Sequence, residues 1–437
     1  MSARYRSQKS THEEYSPVAC LGNFVILQDF LSEKEGFIWN ILFLLNVLLR
    51  GFSHVRYQLL VAFNKVFMWK LLSGNMGENV TTITTITNNP ISGLLIAISV
   101  GVASPGVLVF GLCAGFLGLL LSMLIRDSQN DIANGLTVYN PLLVGALSYV
   151  FIPKFYGEFD SFSILMTILA IIFSVYIRRA FSNSNIPYTA WPFNLAEFTL
   201  LFVLYTEDNG FGATEKLQVT MGMDNATSDA TTGNVSFIGE NATRTHIDWG
   251  MVFQGTIMSA SQVVGVENVI TGSVVYLAAL LFSPITAGFA FLGALSGSLA
   301  GLVLGVEINE VYSGFWGYNT FLTGAVLGGN LFVINGQTAA ATIVAITFTV
   351  IVHYGVLFFF RNLKIPVISL PFVMVASLFL KLRDNPGDKT FPRPLSPSFP
   401  EKQRRDYITT QHMLIQQADE PEESEDENKR NVSMFKV

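Results

Sequence analysis

The sequence predicts an all-α polytopic membrane protein made of two inverted-topology repeats. Each repeat should hold about five transmembrane helices plus re-entrant half-helices. The composition, an internal repeat and symmetric interruptions of the apolar segments lead to this prediction. Of the 437 residues, 50% are hydrophobic and 13% are charged, whereas soluble domains carry about 25% charged residues. Apolar runs such as 91–125 and 274–304 exceed the roughly 18 residues that indicate a membrane helix. A soluble enzyme is therefore excluded.

The internal repeat appears when the chain is shifted by 179 positions without gaps. Glycine, proline, asparagine and tyrosine landmarks then coincide over more than a hundred residues. The matches include Asn89 with Asn268, Ser104-Pro105 with Ser283-Pro284, Tyr139-Asn140 with Tyr318-Asn319, and Pro192-Phe193 with Pro371-Phe372. Shared apolar composition cannot hold such residues in one register, so the pattern indicates a duplication.

The polar segments set the predicted domain organisation. Residues 1–36 are too polar to contain a signal peptide, which predicts a cytosolic N-terminus. The predicted segments are an N-terminal tail (1–36), a first membrane repeat (37–206), an extracellular glycosylated loop (207–248), a second membrane repeat (249–383) and a disordered acidic cytosolic tail (384–437).

The loop at 207–248 decides the expected orientation of the two repeats. It contains three glycosylation sequons, at Asn225, Asn234 and Asn241. If the N-terminus is cytosolic and this loop is extracellular, the first repeat crosses an odd number of times. The second repeat then runs in the opposite direction, which is the inverted-repeat plan of many transport proteins.

Two interruptions in each repeat predict a solute pathway. They lie at 88–93 and 188–194 in the first repeat and at 267–272 and 367–372 in the second. A broken helix at membrane depth survives only where protein or a polar pathway satisfies its backbone. Symmetric pairs of breaks therefore favour a solute site at the pseudo-symmetry axis over simple packing kinks.

The motifs at these breaks resemble those of the urea transporter family. The chain has Asn88-Asn89-Pro90-Ile91-Ser92-Gly93 and Glu267-Asn268-Val269-Ile270-Thr271-Gly272, followed in each repeat by a Gly-x-x-x-Tyr-Asn element that begins at Gly135 or Gly314. The resemblance covers roughly residues 37–383. It implies passive, channel-like diffusion of urea across the plasma membrane through a central pore, and a homotrimer. It implies neither an enzyme activity nor a cofactor, a metal site or a nucleic-acid partner.

The resemblance also implies which residues line the pore. Urea is flat and polar along every edge, so its pore needs apolar walls against its faces and hydrogen-bonding groups along its edges. Tyr139, Leu143, Tyr318 and Leu322 match the slot residues, and Asn89 and Asn268 lie at the broken helices. The mid-pore hydroxyl maps onto Ser369, whereas its first-repeat position is Ala190 with Thr189 beside it. An entrance glutamine maps onto Gln262, followed by Val263.

The sequence allows two alignments of the entrance motif in the first repeat. The spacing of the family motif places Ile83 at the glutamine position. Alternatively, Arg50-Gly51-Phe52-Ser53-His54-Val55 matches the entrance motif, His54 replaces the glutamine, and residues 56–85 are an insertion.

The sequence also allows alternatives to a urea channel to be compared with it. Altered pore positions such as Ile83 and Ala190 leave room for another small neutral solute: an amide, ammonia or water. A proton-coupled transporter would use ionisable groups inside the membrane, such as Glu197 and His353. Their equivalents are Ala376 and Ser174, so no symmetric coupling pair emerges. An enzyme or a receptor does not explain the duplication.

Overall fold

The computed structural model describes residues 90–127, 136–182, 190–207, 247–361, 363, 365–383, 389–394 and 398–419. Within these ranges every regular element is helical. The first repeat contains α1 (Pro90–Ala103), α2 (Pro105–Leu124), α3 (Leu136–Phe155), α4 (Ser161–Ser182) and α5 (Trp191–Thr206). The second contains α6 (Trp249–Gln262), α7 (Val269–Phe282), α8 (Pro284–Val303), α9 (Ile308–Tyr312), α10 (Tyr318–Leu327), α11 (Gly336–Arg361) and α12 (Leu370–Leu380). A 3₁₀ turn (Lys381–Arg383) and α13 (Pro400–Asp419) follow.

The helix bounds confirm the duplication. Helices α1 and α2 coincide with α7 and α8 at both ends after the shift of 179 positions, and the first residues of α5 and α12 coincide as well. Proline explains this agreement, because it occupies the first turn of α2, α5, α8 and α12. Its fixed φ suits that turn, and its missing N–H is not needed there.

Four of the described helices are long and apolar enough to cross a membrane. They are α2, α4, α8 and α11, which form two equivalent pairs. Helices α1, α7 and α12 are shorter apolar helices of 10–17 residues, as expected for segments that cross only part of the bilayer. The described residues therefore contain two full-length apolar helices in each repeat. Residues 37–89, where further spanning helices were predicted, lie outside the described ranges.

The contact between α1 and α7 shows that the repeats are inverted. Ser92, near the start of α1, donates its hydroxyl to the carbonyl of Ala278, near the end of α7, at 2.8 Å. The equivalent Thr271, near the start of α7, donates to the carbonyl of Ser99, near the end of α1, at 3.4 Å. Two equivalent helices that exchange equivalent hydrogen bonds in this way run antiparallel. A local two-fold axis therefore lies between them.

Small residues bring α3 and α10 close to their neighbours in the same way. A Cβ atom built on Gly145 would lie 2.6 Å from the carbonyl oxygen of Phe110, and one on Gly324 would lie 2.1 Å from that of Phe289. These are equivalent positions in the two repeats. Such backbone approach is typical of membrane helix packing, where small residues increase the contact area.

The inversion defines two faces of the molecule. The face that holds the ends of α2, α4 and α12 and the starts of α8 and α11 is called the tail face, because residues 389–394 and 398–419 pack there. The opposite face is called the loop face, because it holds the end of α5 and the start of α6, on either side of residues 208–246. On the loop face Asp160 accepts a hydrogen bond from the backbone N–H of Ser163 at 2.7 Å and caps α4. This bond lowers the pKa of Asp160 below its usual value.

The C-terminal tail differs from the prediction. Residues 384–437 were predicted to be disordered, but residues 400–419 form α13, so the prediction is wrong for this segment. A proline at its first position and helix-forming Glu, Lys, Gln and Arg residues behind it favour the helix. Glu401 accepts hydrogen bonds from the Ser283 hydroxyl at 2.9 Å and from the Ile285 N–H at 3.1 Å, at the start of α8. The tail is thereby attached to the second repeat.

Candidate functional site

The site is built around the residues that precede α5 and α12. Ala190 and Ser369 are equivalent and have nearly the same backbone angles, with φ −99° and ψ 19° for Ala190 and φ −91° and ψ 19° for Ser369. Neither Ala190 nor Ser369 caps its helix with its own side chain. The two positions are therefore geometrically matched ends of half-helices, as the repeat pattern predicted.

The asparagine of each Tyr-Asn pair holds the following half-helix in place. The Asn140 side-chain oxygen accepts the backbone N–H of Phe193 at 3.0 Å, and that of Asn319 accepts the N–H of Phe372 at 3.4 Å. The first-turn N–H groups of a helix have no partner within the helix. These asparagines satisfy one of them in each repeat and connect α3 to α5 and α10 to α12.

The break in the second repeat has a further support at Ile368. This β-branched residue has a φ of 49°, in the left-handed region that such residues rarely adopt. Its carbonyl accepts hydrogen bonds from the hydroxyl of Tyr318 and from the Asn319 amide, the latter at 3.2 Å. The Tyr318-Asn319 pair therefore stabilises the unusual backbone next to Ser369.

The predicted slot residues lie inside the protein rather than against lipid. Leu143, Tyr318 and Leu322 are 6–7% exposed, and Tyr139 is partly buried. Tyr139, Leu143 and Leu322 belong to one apolar cluster that also contains Ala190 and Ile368. Slot positions of both repeats thus belong to the same core as the half-helix ends. Their role as pore walls remains a prediction.

The polar groups at the half-helix ends are not symmetric. The amide nitrogen of Asn194, on α5, donates to the Ser369 hydroxyl oxygen at 2.9 Å and to the Ala190 carbonyl at 2.9 Å. The equivalent of Asn194 is Val373, which lies fully buried beside the second half-helix end. A polar pair thus stands opposite an apolar pair. Asn194 was not among the predicted site residues, because its position one turn after Ala190 places it on the half-helix but does not reveal its contact with Ser369.

The predicted entrance residues lie at the end of α6. Gln262 is the last residue of that helix, and its amide nitrogen donates to the carbonyl of Ser313 at 2.9 Å. This bond fixes the side chain and leaves its amide oxygen as an acceptor. Val263 follows and is partly buried against the main apolar cluster. The alternative first-repeat positions, His54 and Ile83, both lie outside the described residues.

Asn268 has a structural task in the described fold. Its side-chain oxygen accepts the backbone N–H of Thr271 at 3.0 Å and caps α7. Its first-repeat equivalent Asn89 lies outside the described residues, as do Thr189 and the predicted glycosylation sites Asn225, Asn234 and Asn241.

Glu197 and His353 lie buried in separate surroundings. Both carboxyl oxygens of Glu197 accept from the Ser148 hydroxyl, at 3.2 and 3.3 Å. His353 stacks on Trp316 with a centroid distance of 4.8 Å, and neither ring nitrogen has a hydrogen-bond partner among the described residues. The two groups have no polar contact with each other.

Comparison with known proteins identifies the family. A family model described as "Urea transporter" matches residues 83–384. The match leaves out residues 37–82, which the motif resemblance had included. Urea transporter 1 of Rattus norvegicus is 27% identical over 337 residues, which is 75% of this chain and 82% of that protein. Urea transporter 1 of Capra hircus is 26% identical over 335 residues, with the same coverage. The matched half-helix ends and the family match together establish that this chain is a membrane-spanning member of the urea transporter family.

Proposed function

We propose that the chain forms a pore through which urea crosses the plasma membrane by facilitated diffusion. The observation that carries this proposal is the matched pair of half-helix ends, each held by an asparagine from the neighbouring Tyr-Asn element. Such ends leave backbone polar groups at membrane depth, where they are tolerated only if protein or a polar pathway surrounds them, and their symmetric pairing favours a pathway. The relatives are named urea transporters, which favours urea over the alternative of another amide, ammonia or water.

The proposed pathway holds urea by its edges and faces. Gln262 offers an amide oxygen at the entrance, and Ser369 offers a hydroxyl at the half-helix end. Tyr139, Leu143, Tyr318 and Leu322 form the apolar walls on either side of the flat solute. The surroundings of Glu197 and His353 support an uncoupled mechanism, because neither group contacts an ionisable partner within the described part of the chain.

Stopped-flow urea flux into liposomes tests this function. Vesicles with the full chain should take up urea faster than empty vesicles, and the rate should not respond to a pH or sodium gradient. Gln262→Ala should slow urea flux about two- to tenfold, as expected for one lost hydrogen bond. Thr347→Ala is the matched control, because Thr347 is exposed on the outer side of α11 and bonds only within its helix. Uptake equal to that of empty vesicles would refute the proposal.

The distribution of charge supports the proposed orientation in the membrane. Among the described residues, all Lys and Arg residues except Lys154 and Arg361 lie on the tail face, including those of residues 381–405. Cytosolic segments are enriched in such residues. We therefore infer that the tail face is cytosolic and the loop face is extracellular. Replacing Asn225, Asn234 and Asn241 with Gln should remove the mass shift that a glycosidase produces in protein from animal cells.

The homotrimer stays a prediction from the family resemblance. Mass measurement of the purified protein in detergent distinguishes a trimer from a monomer or a dimer. Each subunit contains both repeats and both half-helix ends, so the proposed pore needs no residue from a second copy.

A further inference from the structure

The half-helix ends carry one polar pair and one apolar pair of side chains. Asn194 and Ser369 are hydrogen bonded to each other at 2.9 Å across the two repeats. Val373 and Ala190 occupy the equivalent positions and are 0% and 1% exposed. Side-chain hydrogen-bonding groups are therefore confined to one of the two equivalent pairs.

The hydrogen bonds of Asn194 fix the direction of the Ser369 hydroxyl. The amide nitrogen of Asn194 faces two acceptors, Ser369 Oγ and the Ala190 carbonyl. The opposite amide orientation would place two oxygens together at Ala190, so the assignment is determined. Because Asn194 supplies a hydrogen to Ser369 Oγ, the hydroxyl hydrogen of Ser369 must point elsewhere. Ser369 does not cap α12, and its hydroxyl finds no acceptor among the described residues.

The amide oxygen of Asn194 also lacks a partner. It is fully buried and accepts no hydrogen bond in the described part of the chain. A buried polar atom without a partner is unfavourable by about 1–3 kcal/mol and calls for a ligand or a water. Two residues that are hydrogen bonded to each other thus keep an O–H donor (Ser369) and an acceptor (Asn194) that have no partner among the described residues. A primary amide presents the complementary pair along one edge: a carbonyl oxygen next to an N–H.

We propose that Asn194 is a selectivity residue, which positions the Ser369 hydroxyl as a donor to the solute carbonyl and accepts one solute N–H. The inference rests on the proposed function and adds to it a residue that determines specificity. Because Val373 and Ala190 offer neither group, the carbonyl of each passing molecule turns toward Ser369.

Urea and thiourea separate this role from simple packing. Both are planar and carry the same N–H groups, but sulfur is a much weaker acceptor than a carbonyl oxygen. Asn194→Val copies the second repeat and frees the Ser369 hydroxyl to rotate. It should lower the urea-to-thiourea permeability ratio about two- to tenfold, the value of one hydrogen bond. Ser369→Ala should lower the ratio by a similar factor. The double variant should resemble Ser369→Ala alone, because both changes remove one shared contact.

A gain-of-function variant keeps the test valid if Asn194→Val does not fold. Ala190→Ser with Val373→Asn turns the apolar pair into a second polar pair. This double variant should raise the urea-to-thiourea permeability ratio at least about twofold. Val373→Asn alone is its comparison, because it adds an amide but no hydroxyl to orient, and it should raise the ratio less than the double variant does. Urea and thiourea fluxes that fall in equal proportion in Asn194→Val would overturn the inference, as would an unchanged ratio in the gain-of-function variant. Wild-type urea flux above that of empty vesicles would still support the proposed function in either case.

Discussion

The first and second repeats share the contacts that hold their backbones but differ in the polar groups buried beside them. Asn140 and Asn319 bind equivalent N–H groups, and Gly145 and Gly324 approach equivalent carbonyls. These contacts define where helices begin and how closely they pack. The duplication has kept them because both repeats need the same backbone course.

The two repeats carry different buried side chains near the ends of α4 and α11. In the first repeat Arg178 is 1% exposed and forms an ion pair with Asp127, which also contacts Arg179 at 3.1 Å. The equivalent residues of the second repeat are Val306 and Leu357, which pack against the apolar cluster of Trp316. The same framework thus accepts either a buried ion pair or two aliphatic side chains.

The buried carboxyl shows the same difference. Glu197 accepts hydrogen bonds from Ser148 in the first repeat, whereas Ala376 and Leu327 occupy these positions in the second and belong to the apolar core. In each of these pairs the first repeat carries the polar version. Contacts that hold the backbone therefore specify the fold, whereas the other buried polar groups can differ from one repeat to the other.

The largest effect is expected at the ion pair. Asp127→Val removes a carboxylate that pairs with the buried Arg178 and should lower the free energy of unfolding by about 3–5 kcal/mol. Adding Arg178→Leu copies the second repeat and should restore most of this loss, because a buried ion pair replaced by apolar residues is often neutral. Thermal unfolding of purified protein in detergent measures both variants. A double variant as unstable as Asp127→Val would show that the repeats are not interchangeable here.

The shared glycines should be equally sensitive in both repeats. Gly145→Ala and Gly324→Ala each place a Cβ atom against a backbone carbonyl. Each should destabilise the protein by about 1–3 kcal/mol through overpacking. The same unfolding assay compares them, with Gly288→Ala as the control because a Cβ atom there meets nothing within 4 Å. A loss in only one repeat would contradict the idea of a common framework.

A smaller effect is expected where the tail supports only one repeat. Glu401→Ala removes a carboxylate from the start of α8, where it accepts two hydrogen bonds. We expect a loss of about 1–2 kcal/mol, since a charged acceptor at a helix start is favourable. Lys402→Ala, one residue further along α13, provides the control. If Glu401→Ala unfolds at the wild-type temperature, the tail does not stabilise the second repeat.

The smallest effect is expected at Glu197. Glu197→Gln keeps an acceptor for the Ser148 hydroxyl and removes the titratable group. If transport is uncoupled, urea flux should stay within about twofold of wild type, with or without a pH gradient. Stopped-flow flux at two pH values measures this. A pH-dependent wild type that becomes pH-independent in Glu197→Gln would sharpen the difference between the repeats into a functional one.

Much of the fold could be predicted because the residues that mark helix starts occur in both repeats. Ser104-Pro105 and Ser283-Pro284 mark the starts of α2 and α8, and Pro192 and Pro371 mark those of α5 and α12. Proline acts through local geometry, so its effect can be read without knowledge of tertiary contacts. The antiparallel contact of α1 and α7 was expected only indirectly, from the position of the polar loop.

The features that sequence analysis missed are those that break the repeat. Asn194 has no polar counterpart, so a search for duplicated motifs passes over it. Its importance depends on a hydrogen bond to a residue 175 positions away, which no local pattern encodes. The helix α13 was missed because the acidic and proline-rich composition of the whole tail outweighed the helix-forming stretch within it.

The reciprocal hydrogen bonds between α1 and α7 have a consequence for the ancestry of the molecule. A surface in which Ser92 and Thr271 play the same part is self-complementary, like the isologous interface of a symmetric dimer. Such a surface needs no peptide link between its two sides. We expect that a gene cut within codons 208–246 would yield two fragments that recombine in the bilayer into an active protein, much as two separate single-repeat ancestors would have done.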